Sequence, residues 1–306
     1  MTRLGLPYPD SPEEINLLLS KREKHKPHIF SVGERYHVEN EVRRHLSNLG
    51  LGKKVLKKVT LDSVDQSLID AYSVHRANTQ INEACNKLWA VVEIVNLVSP
   101  KIWKTEYSPI GERFERNYLL GTIIPTLYYS QVSALVSVMS IFGCVSIKDT
   151  ISKNKSRKII MYNLVRTKEG WQLFKREHYL KDILGIDPSK GWHRQVIQLV
   201  EGLSANLQGF PKIDVQATKE LRRARNRTHY EILASVSTKP VMGIDNFFHH
   251  LPLVVSTIST VITTIEKCYK PSKLSYTKRF KNLYQNLPKL YKAYDKKFPT
   301  KSHSNI

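Results

Sequence analysis

A short segment in the last third of the chain concentrates side chains that suit phosphate chemistry. Residues 219–230 read Lys-Glu-Leu-Arg-Arg-Ala-Arg-Asn-Arg-Thr-His-Tyr, so four arginines, one asparagine and one histidine fall within eight positions. The apolar residues on either side predict that this segment is a helix. At about 100° per residue, four polar side chains then share roughly one third of the helix circumference: Arg222, Arg225, Asn226 and His229. Arg223 projects from a different side of the helix.

These residue types are suited to cleavage of RNA without a metal ion. Arginines bind a phosphate through paired hydrogen bonds and neutralise the charge that builds up in the transition state. A histidine beside guanidinium groups tends to have a lowered pKa, so that it stays neutral near pH 7 and acts as a base. On this interpretation His229 removes a 2′-hydroxyl proton, and the 2′-oxygen attacks the adjacent phosphorus. The arginines at 222, 223 and 225 bind phosphate, one of them in a catalytic role, and Asn226 orients a phosphate oxygen or the histidine.

The segment resembles the Arg-x(4–6)-His motif of HEPN domains, which are α-helical bundles found in many RNases of toxin, antiviral and RNA-processing systems. Arg223 with five intervening residues, or Arg222 with six, satisfies the spacing to His229. The commonest form of the motif has an arginine, then a polar residue, with four residues before the histidine. Arg225-Asn226 departs from that form, because only three residues separate Arg225 from His229. The resemblance covers about residues 192–298, and it implies metal-free cleavage by a homodimer in which two copies of the motif meet.

Two other interpretations of the same helix remain open. A basic helix face also binds phosphates without any chemistry, and the alternative function is therefore a non-catalytic nucleic-acid-binding adaptor of a larger defence or RNA-processing complex. In a purely structural interpretation, the histidine is packed in the core. If the chain is a toxin or an antiviral-defence effector, we expect an antitoxin or another protein of the same defence system as a partner.

The charge of the whole chain independently favours a polyanionic partner. The 306 residues contain 48 Lys+Arg and 27 Asp+Glu, which gives a net charge of +21. A surplus of this size raises the local concentration of RNA or another nucleic acid. Residues 267–301 carry eleven Lys or Arg against a single acid, Asp295, and tyrosines alternate with the basic residues. The predicted nucleic-acid-binding residues, besides the motif itself, are Arg227, Lys278, Arg279, Lys281, Lys289 and Lys292.

Several other classes of site have no sequence support. The chain has no glycine-rich phosphate loop, no His-Glu-x-x-His zinc motif, no Gly-x-Ser-x-Gly elbow and no EF-hand spacing. His249 and His250 are adjacent, and adjacent positions point about 100° apart on a regular helix, so we expect no shared metal ion. The three cysteines are far apart and form neither a Cys-x-x-Cys pair nor a disulfide framework. We therefore expect no metal, no cofactor and a cytoplasmic location.

Two long uncharged runs raise the question of a membrane. Residues 117–147 and 246–265 contain no Asp, Glu, Lys or Arg, and about 20 apolar residues are enough to span a bilayer. Both runs are rich in serine and threonine, and in the first of them serines recur at helical spacing: Ser130, Ser133, Ser137 and Ser140. This spacing predicts a seam of small residues against a neighbouring helix. We interpret both runs as core helices, with a membrane-acting protein as the remaining alternative.

The elements that must position the motif are predicted to be mainly helical. We expect a mainly α fold, a helical bundle with one inserted β-hairpin, whose strands cover residues 156–166 and 171–175 around a turn at 167–170. Helices are predicted over residues 11–24, 34–49, 62–75, 79–97, 117–143, 192–207, 215–235, 245–269 and 274–298. The predicted domains are an N-terminal helical region (1–150), a hairpin with linker (151–190) and a C-terminal HEPN-like bundle ending in a basic helix (191–306).

Overall fold

The computed structural model shows a mainly helical chain with one antiparallel β-sheet, which confirms the predicted class. It describes residues 5–21, 32–48, 58–61, 66–97, 110–153, 156–234 and 244–269, together with residues 280, 282 and 285. The helices are α1 (Pro12–Lys21), α2 (Val32–Asn48), α3 (Gln66–Leu97), α4 (Ile110–Ile141), α5 (Arg176–His178), α6 (Trp192–Asn206), α7 (Val215–Ala234) and α8 (Ile244–Cys268), with a π-helical turn at Tyr179–Ile183. The strands are β1 (Lys58–Thr60), β2 (Cys144–Lys153), β3 (Ser156–Thr167) and β4 (Gly170–Lys175). The predicted helix at 274–298 lies outside the described residues.

The sheet contains the predicted hairpin and two further strands. Its strand order is β1-β4-β3-β2, and every neighbouring pair is antiparallel. The hairpin turn joins Thr167 to Gly170, where the glycine adopts φ 106°, a conformation that residues with a Cβ rarely adopt. The prediction of a single two-stranded hairpin was therefore wrong, because the described sheet has four strands. β2 begins three residues after α4 inside the uncharged run, so the sequence pattern did not separate it from the helix.

One face of the sheet forms a hydrophobic core with α2 and α3. Alternate strand residues point to this face, as the two-residue period of a strand requires. The fully buried cluster joins side chains of the four-stranded sheet to two helices: Val38, Val42, Leu61, Ile69, Tyr72, Val145, Ile147, Ile160, Tyr162, Leu164, Trp171 and Leu173. α2, whose composition is strongly polar, is held in place by this contact.

The opposite face of the sheet contains a buried polar contact among apolar side chains. Asn163 of β3 pairs across the sheet with Ser146 and Phe174, and its Oδ1 accepts a hydrogen bond from Arg176 Nε at 3.1 Å. Arg176 is 0% exposed, and burial lowers its pKa to about 10, so the side chain still carries its charge at pH 7. Neither Nη atom of Arg176 has a hydrogen-bond partner among the described residues. The ring of Tyr179 packs against Phe174 beside it, with centroids 5.2 Å apart.

A second buried arginine ties the segment before α1 to the sheet. Arg166 donates through Nη1 to Asp70 Oδ1 (3.0 Å), through Nη2 to the carbonyl of Ile141 (3.2 Å) and through Nε to the carbonyl of Tyr8 (3.1 Å). The amide of Tyr8 in turn donates to the carbonyl of Arg166 at 2.7 Å. A Cβ at Gly209 would lie 2.2 Å from the carbonyl oxygen of Asp10, so only glycine fits where this segment passes. Residues 5–11 are therefore part of the packed structure.

The chain divides into two compact units. The first comprises residues 1–81, 134–215 and 260–271, and the second comprises residues 82–133, 216–259 and 272–306. The first unit contains the sheet, and the second contains the described part of α7. These interleaved units do not follow the sequential division at residues 150 and 191, which stays a prediction about independently folding domains.

Two of the four serines that predict a seam, Ser130 and Ser137, lie against α3. In the first unit, Ser137 Oγ donates to the carbonyl of Ala77 at 2.6 Å, and in the second unit Ser130 Oγ donates to the carbonyl of Ala84 at 2.7 Å. Small side chains allow this approach, because a longer side chain would hold the backbones apart. The prediction of two helices over 62–75 and 79–97 was wrong: α3 is continuous, since no proline or glycine interrupts residues 66–97.

By length and composition alone, one helix in the described part of the chain is able to cross a membrane. It runs over Phe247–Cys268, and 61% of its most apolar 18-residue stretch is buried inside the protein. A core helix of a soluble protein passes the same test. The uncharged run at 117–147 contains most of α4, and α4 is not apolar enough to pass this test.

Candidate nucleic-acid interface

The predicted motif lies on α7, and three of its polar side chains share one face of that helix. Arg222, Arg225 and Asn226 are half-buried, whereas Arg223 is exposed on another side. The helix is fixed by four buried side chains on an adjoining arc of its circumference: Ala217, Thr218, Leu221 and Ala224. The prediction that this segment is a helix is therefore confirmed, while the roles of its polar residues stay predictions.

Arg225 is held in a defined position by an aromatic residue of α4. Its Nη2 donates to the hydroxyl of Tyr129 at 2.6 Å, and its Nη1 donates to Asn226 Oδ1 at 2.9 Å. The guanidinium carbon also lies 5.4 Å from the centroid of the Tyr129 ring, a cation–π distance. Lys87 Nζ approaches the same ring at 5.7 Å. Two cations therefore converge on Tyr129, and one of them, Lys87, is also ion-paired with Glu83.

The arginine face alters the electrostatics of the neighbouring tyrosine. Burial raises the pKa of Tyr128 to about 12, and the positive charges of Arg222 and Arg225 partly oppose this rise. The rings of Tyr128 and Tyr129 pack against each other with centroids 5.4 Å apart. The phenol of Tyr128 is accordingly neutral at any physiological pH, so it does not act as an anionic partner for the arginines.

α4 holds these tyrosines through polar contacts of the residues that follow. Ser130 Oγ donates to the carbonyl of Ala84 on α3, and Gln131 Nε2 donates to Thr257 Oγ1 on α8 at 3.3 Å. All of these residues belong to the second unit. The position of Arg225 therefore depends on a helix more than 90 residues earlier in the chain.

The other predicted site residues are not described at the level of their side chains. The backbone of α7 continues as a helix through residue 229, but the side chains of Arg227 and His229 lie outside the described part. The same holds for the predicted nucleic-acid-binding residues of the basic C-terminal segment: Lys278, Arg279, Lys281, Lys289 and Lys292. Their roles stay predictions.

Sequence reasoning missed two features of this region. Tyr129 was not a predicted site residue, because nothing in its local sequence links it to an arginine 96 positions away. The second feature is the approach of Glu220, on α7, to His249 and His250, at the start of α8, with their potential ligand atoms within 4.8 Å of one another. Burial lowers the pKa of His250, His249 lowers it further and Glu220 opposes the change, so this imidazole is neutral at pH 7.

Comparisons with known proteins add no information about this site. No protein-family model matches the chain, and no curated protein or solved structure shows significant similarity to it.

Proposed function

We propose that this protein is a metal-independent RNA endonuclease of HEPN type that acts as a homodimer, in the role of a toxin or an antiviral-defence effector. The observation that supports this proposal best is the grouping of Arg222, Arg225 and Asn226 on one face of α7. His229 follows Arg225 by one helical turn and Arg222 by two, about 6 and 10 Å along the axis. The long side chains of the arginines therefore have to reach along the helix towards His229 to contact the same phosphodiester group.

In the proposed reaction His229 accepts the proton of the RNA 2′-hydroxyl. The 2′-oxygen then forms a bond to the adjacent phosphorus, and the bond from phosphorus to the 5′-oxygen of the next nucleotide breaks. That oxygen takes up a proton from water while His229 returns its proton to the solvent, so the products end in a 2′,3′-cyclic phosphate and a 5′-hydroxyl. Arg222 and Arg225 stabilise the negative charge that develops on the phosphoryl oxygens, as fixed donors do in other phosphate-cleaving sites.

The contacts of Arg225 fit this role. A donor group contributes most to catalysis when it is oriented before the reaction, because no reorganisation is then needed at the transition state. Tyr129 and Asn226 together fix two nitrogens of the guanidinium. The proposal includes the prediction that residues 191–306 form the HEPN-like helical bundle and that the β-hairpin is an insertion before it. A second copy of the chain supplies the second motif.

The test is RNA cleavage by the purified full chain in EDTA. We expect cleavage that leaves 2′,3′-cyclic phosphate ends, and we expect His229→Ala to lose at least about 100-fold in rate, the smaller end of the range for general acid–base catalysis. His178→Ala is the matched control, because His178 lies outside the motif in the first unit. Equal cleavage by the wild type and His229→Ala would contradict the proposal, since a contaminating nuclease behaves in that way.

The same samples test the adaptor alternative, which the net charge of +21 favours. An adaptor binds RNA in a salt-dependent manner through the basic surface but yields no product. If the wild type and His229→Ala both retard RNA on a gel at low salt and both leave it intact, the protein is a binding module. The membrane-acting alternative predicts instead that the protein sediments with lipid vesicles.

A further inference from the structure

A second polar cluster lies on α7, away from the arginine face. Glu220 of α7 and His249 and His250 of α8 each offer one oxygen or nitrogen atom, and these atoms all lie within 4.8 Å of one another. The two imidazole rings have centroids 5.1 Å apart and planes inclined by 70°, so neither ring blocks the other. At 100° per residue, Glu220 is about 160° from Arg222 around the helix. The cluster and the arginine face are therefore separate features of one helix.

The burial of His250 makes this cluster more than a chance approach of surface residues. Its side chain is 5% exposed, and its buried Nδ1 has no hydrogen-bond partner among the residues that the structure describes. Buried polar atoms in native proteins are nearly always satisfied. Glu220 is already oriented, because its Oε1 accepts a hydrogen bond from Gln216 Nε2 at 3.3 Å. A carboxylate oriented in this way is typical of the ligands in metal sites.

We propose that Glu220, His249 and His250 bind a divalent transition-metal ion, Zn²⁺ or one of similar coordination chemistry. Imidazole nitrogens select such ions over Mg²⁺ and Ca²⁺, which prefer oxygen ligands. Tetrahedral coordination with bonds of about 2.1 Å places ligand atoms about 3.4 Å apart. The present separations, which reach 4.8 Å, therefore have to shorten by up to about 1.4 Å when the ion binds. Three protein ligands leave at least one coordination position for water.

The bound ion connects α7 to α8 within the second unit. Glu220 precedes the arginine face by less than one turn, so the ion fixes the helix that carries the motif without contacting the motif itself. This assignment stands whether or not the protein cleaves RNA. The two proposals fail separately, because one is read from metal binding and the other from RNA cleavage.

The experiment measures binding of Co²⁺ and Zn²⁺ to the full chain, purified without a histidine tag and stripped with chelator. We expect one equivalent of Co²⁺ per chain, visible as d–d absorption bands, and displacement of these bands by Zn²⁺. We expect Glu220→Gln, His249→Ala and His250→Ala each to weaken binding by at least about tenfold. The control is His178→Ala/Asp182→Asn, which removes another histidine–carboxylate pair, at 3.6 Å, from the first unit.

The three variants keep the test decisive. His249 is exposed, so His249→Ala retains the fold even if removal of the buried His250 does not, and circular dichroism checks each variant. The proposal is overturned if the wild type binds no Co²⁺. It is also overturned if Glu220→Gln and His249→Ala bind as the wild type does, or if the control loses as much affinity as they do.

Discussion

At the scale of single residues, the hydroxyl of Tyr129 determines how Arg225 is presented. An exposed arginine samples many rotamers, and ordering it on a ligand costs conformational entropy. Here the 2.6 Å hydrogen bond to Tyr129 and the 2.9 Å bond to Asn226 have already ordered the guanidinium. A phosphate that meets this group therefore loses less affinity to side-chain ordering than it would at a mobile arginine.

Tyr129→Phe tests this consequence with the loss of one oxygen atom. The ring remains for the cation–π contact, while the hydrogen bond to the charged guanidinium is removed, and such bonds contribute about 1.5–3 kcal/mol. We expect RNA affinity, and the cleavage rate if the protein is a nuclease, to fall about tenfold. Tyr8→Phe is the control, because Tyr8 uses its backbone atoms in the contacts with Arg166. Unchanged RNA affinity in Tyr129→Phe would show that Arg225 has a structural role.

At the scale of elements, the face of the sheet that points away from α2 and α3 carries a buried charge. Arg176, the first residue after β4, is 0% exposed and donates through Nε to Asn163 of β3. A buried charge with few partners is destabilising because desolvation costs more than the contacts return. The sheet therefore tolerates a cation at a position where an apolar residue of similar size would also fit.

The double substitution Arg176→Met/Asn163→Leu should accordingly make the protein more stable. Replacement of buried ionic groups by apolar residues of similar volume has stabilised other proteins by about 1–4 kcal/mol, and we expect a rise within that range. Urea denaturation, followed by circular dichroism, measures the free energy of unfolding. Arg194→Met, at an exposed position on α6, should change it by less than about 0.5 kcal/mol. A less stable double variant would mean that Arg176 makes a favourable contact with a residue outside the described segments.

Local sequence signals predicted the elements well, and their long-range arrangement poorly. The hairpin was predicted because the turn at Thr167–Gly170 depends on neighbouring residues only. The start of α1 is equally local, since Ser11 Oγ accepts a hydrogen bond from the amide of Glu14 at 3.1 Å. β2 was missed because its first residues continue the uncharged run of α4, although only two residues separate it from its partner β3. Helical periodicity predicted the arginine face but could not predict Tyr129, which lies 96 positions before Arg225.

The expectation that the two histidines share no metal ion stays untested, and the metal site proposed above would overturn it. Directions at Cβ for His249 and His250 differ by about 100°, which led to the expectation that they cannot share an ion. Rotation about two side-chain bonds moves each ring nitrogen by several ångströms, and the rings lie with centroids 5.1 Å apart. The third member, Glu220, comes from another helix, and only the packing of α7 beside α8 shows that it is near.

At the scale of the whole molecule, the net charge of +21 governs the encounter with nucleic acid. Each phosphate contact made by a lysine or arginine releases counterions, so the affinity falls as salt concentration rises. If only the net charge determines the affinity, a lysine contributes equally wherever it lies in the chain. If a defined surface binds the nucleic acid, the lysines of that surface contribute more than the others. Equal changes of charge at two places on the chain distinguish these effects.

Lys289→Gln/Lys292→Gln and Lys181→Gln/Lys190→Gln both lower the net charge from +21 to +19. The first pair lies in the predicted nucleic-acid-binding segment, and the second pair is exposed in the first unit. We expect only the first to reduce the slope of log affinity against log salt, by about 1.4 for single-stranded RNA at roughly 0.7 per contact. Fluorescence anisotropy over a salt series measures the slope. Equal slopes for the two variants would mean that these lysines act only through the overall charge.

The hydrogen bonds between Tyr8 and Arg166 affect how the chain folds as it is synthesised. The two residues are 158 positions apart, and Gly209, which accommodates Asp10, comes later still. At about 5–20 residues per second, the ribosome needs roughly 8–30 s to make the 158 residues that separate Tyr8 from its partner. During that interval residues 5–11 have no docking surface, and chaperones have access to them. Residues 5–11 are therefore among the first to be made and among the last to be packed, and the first unit is completed late in translation.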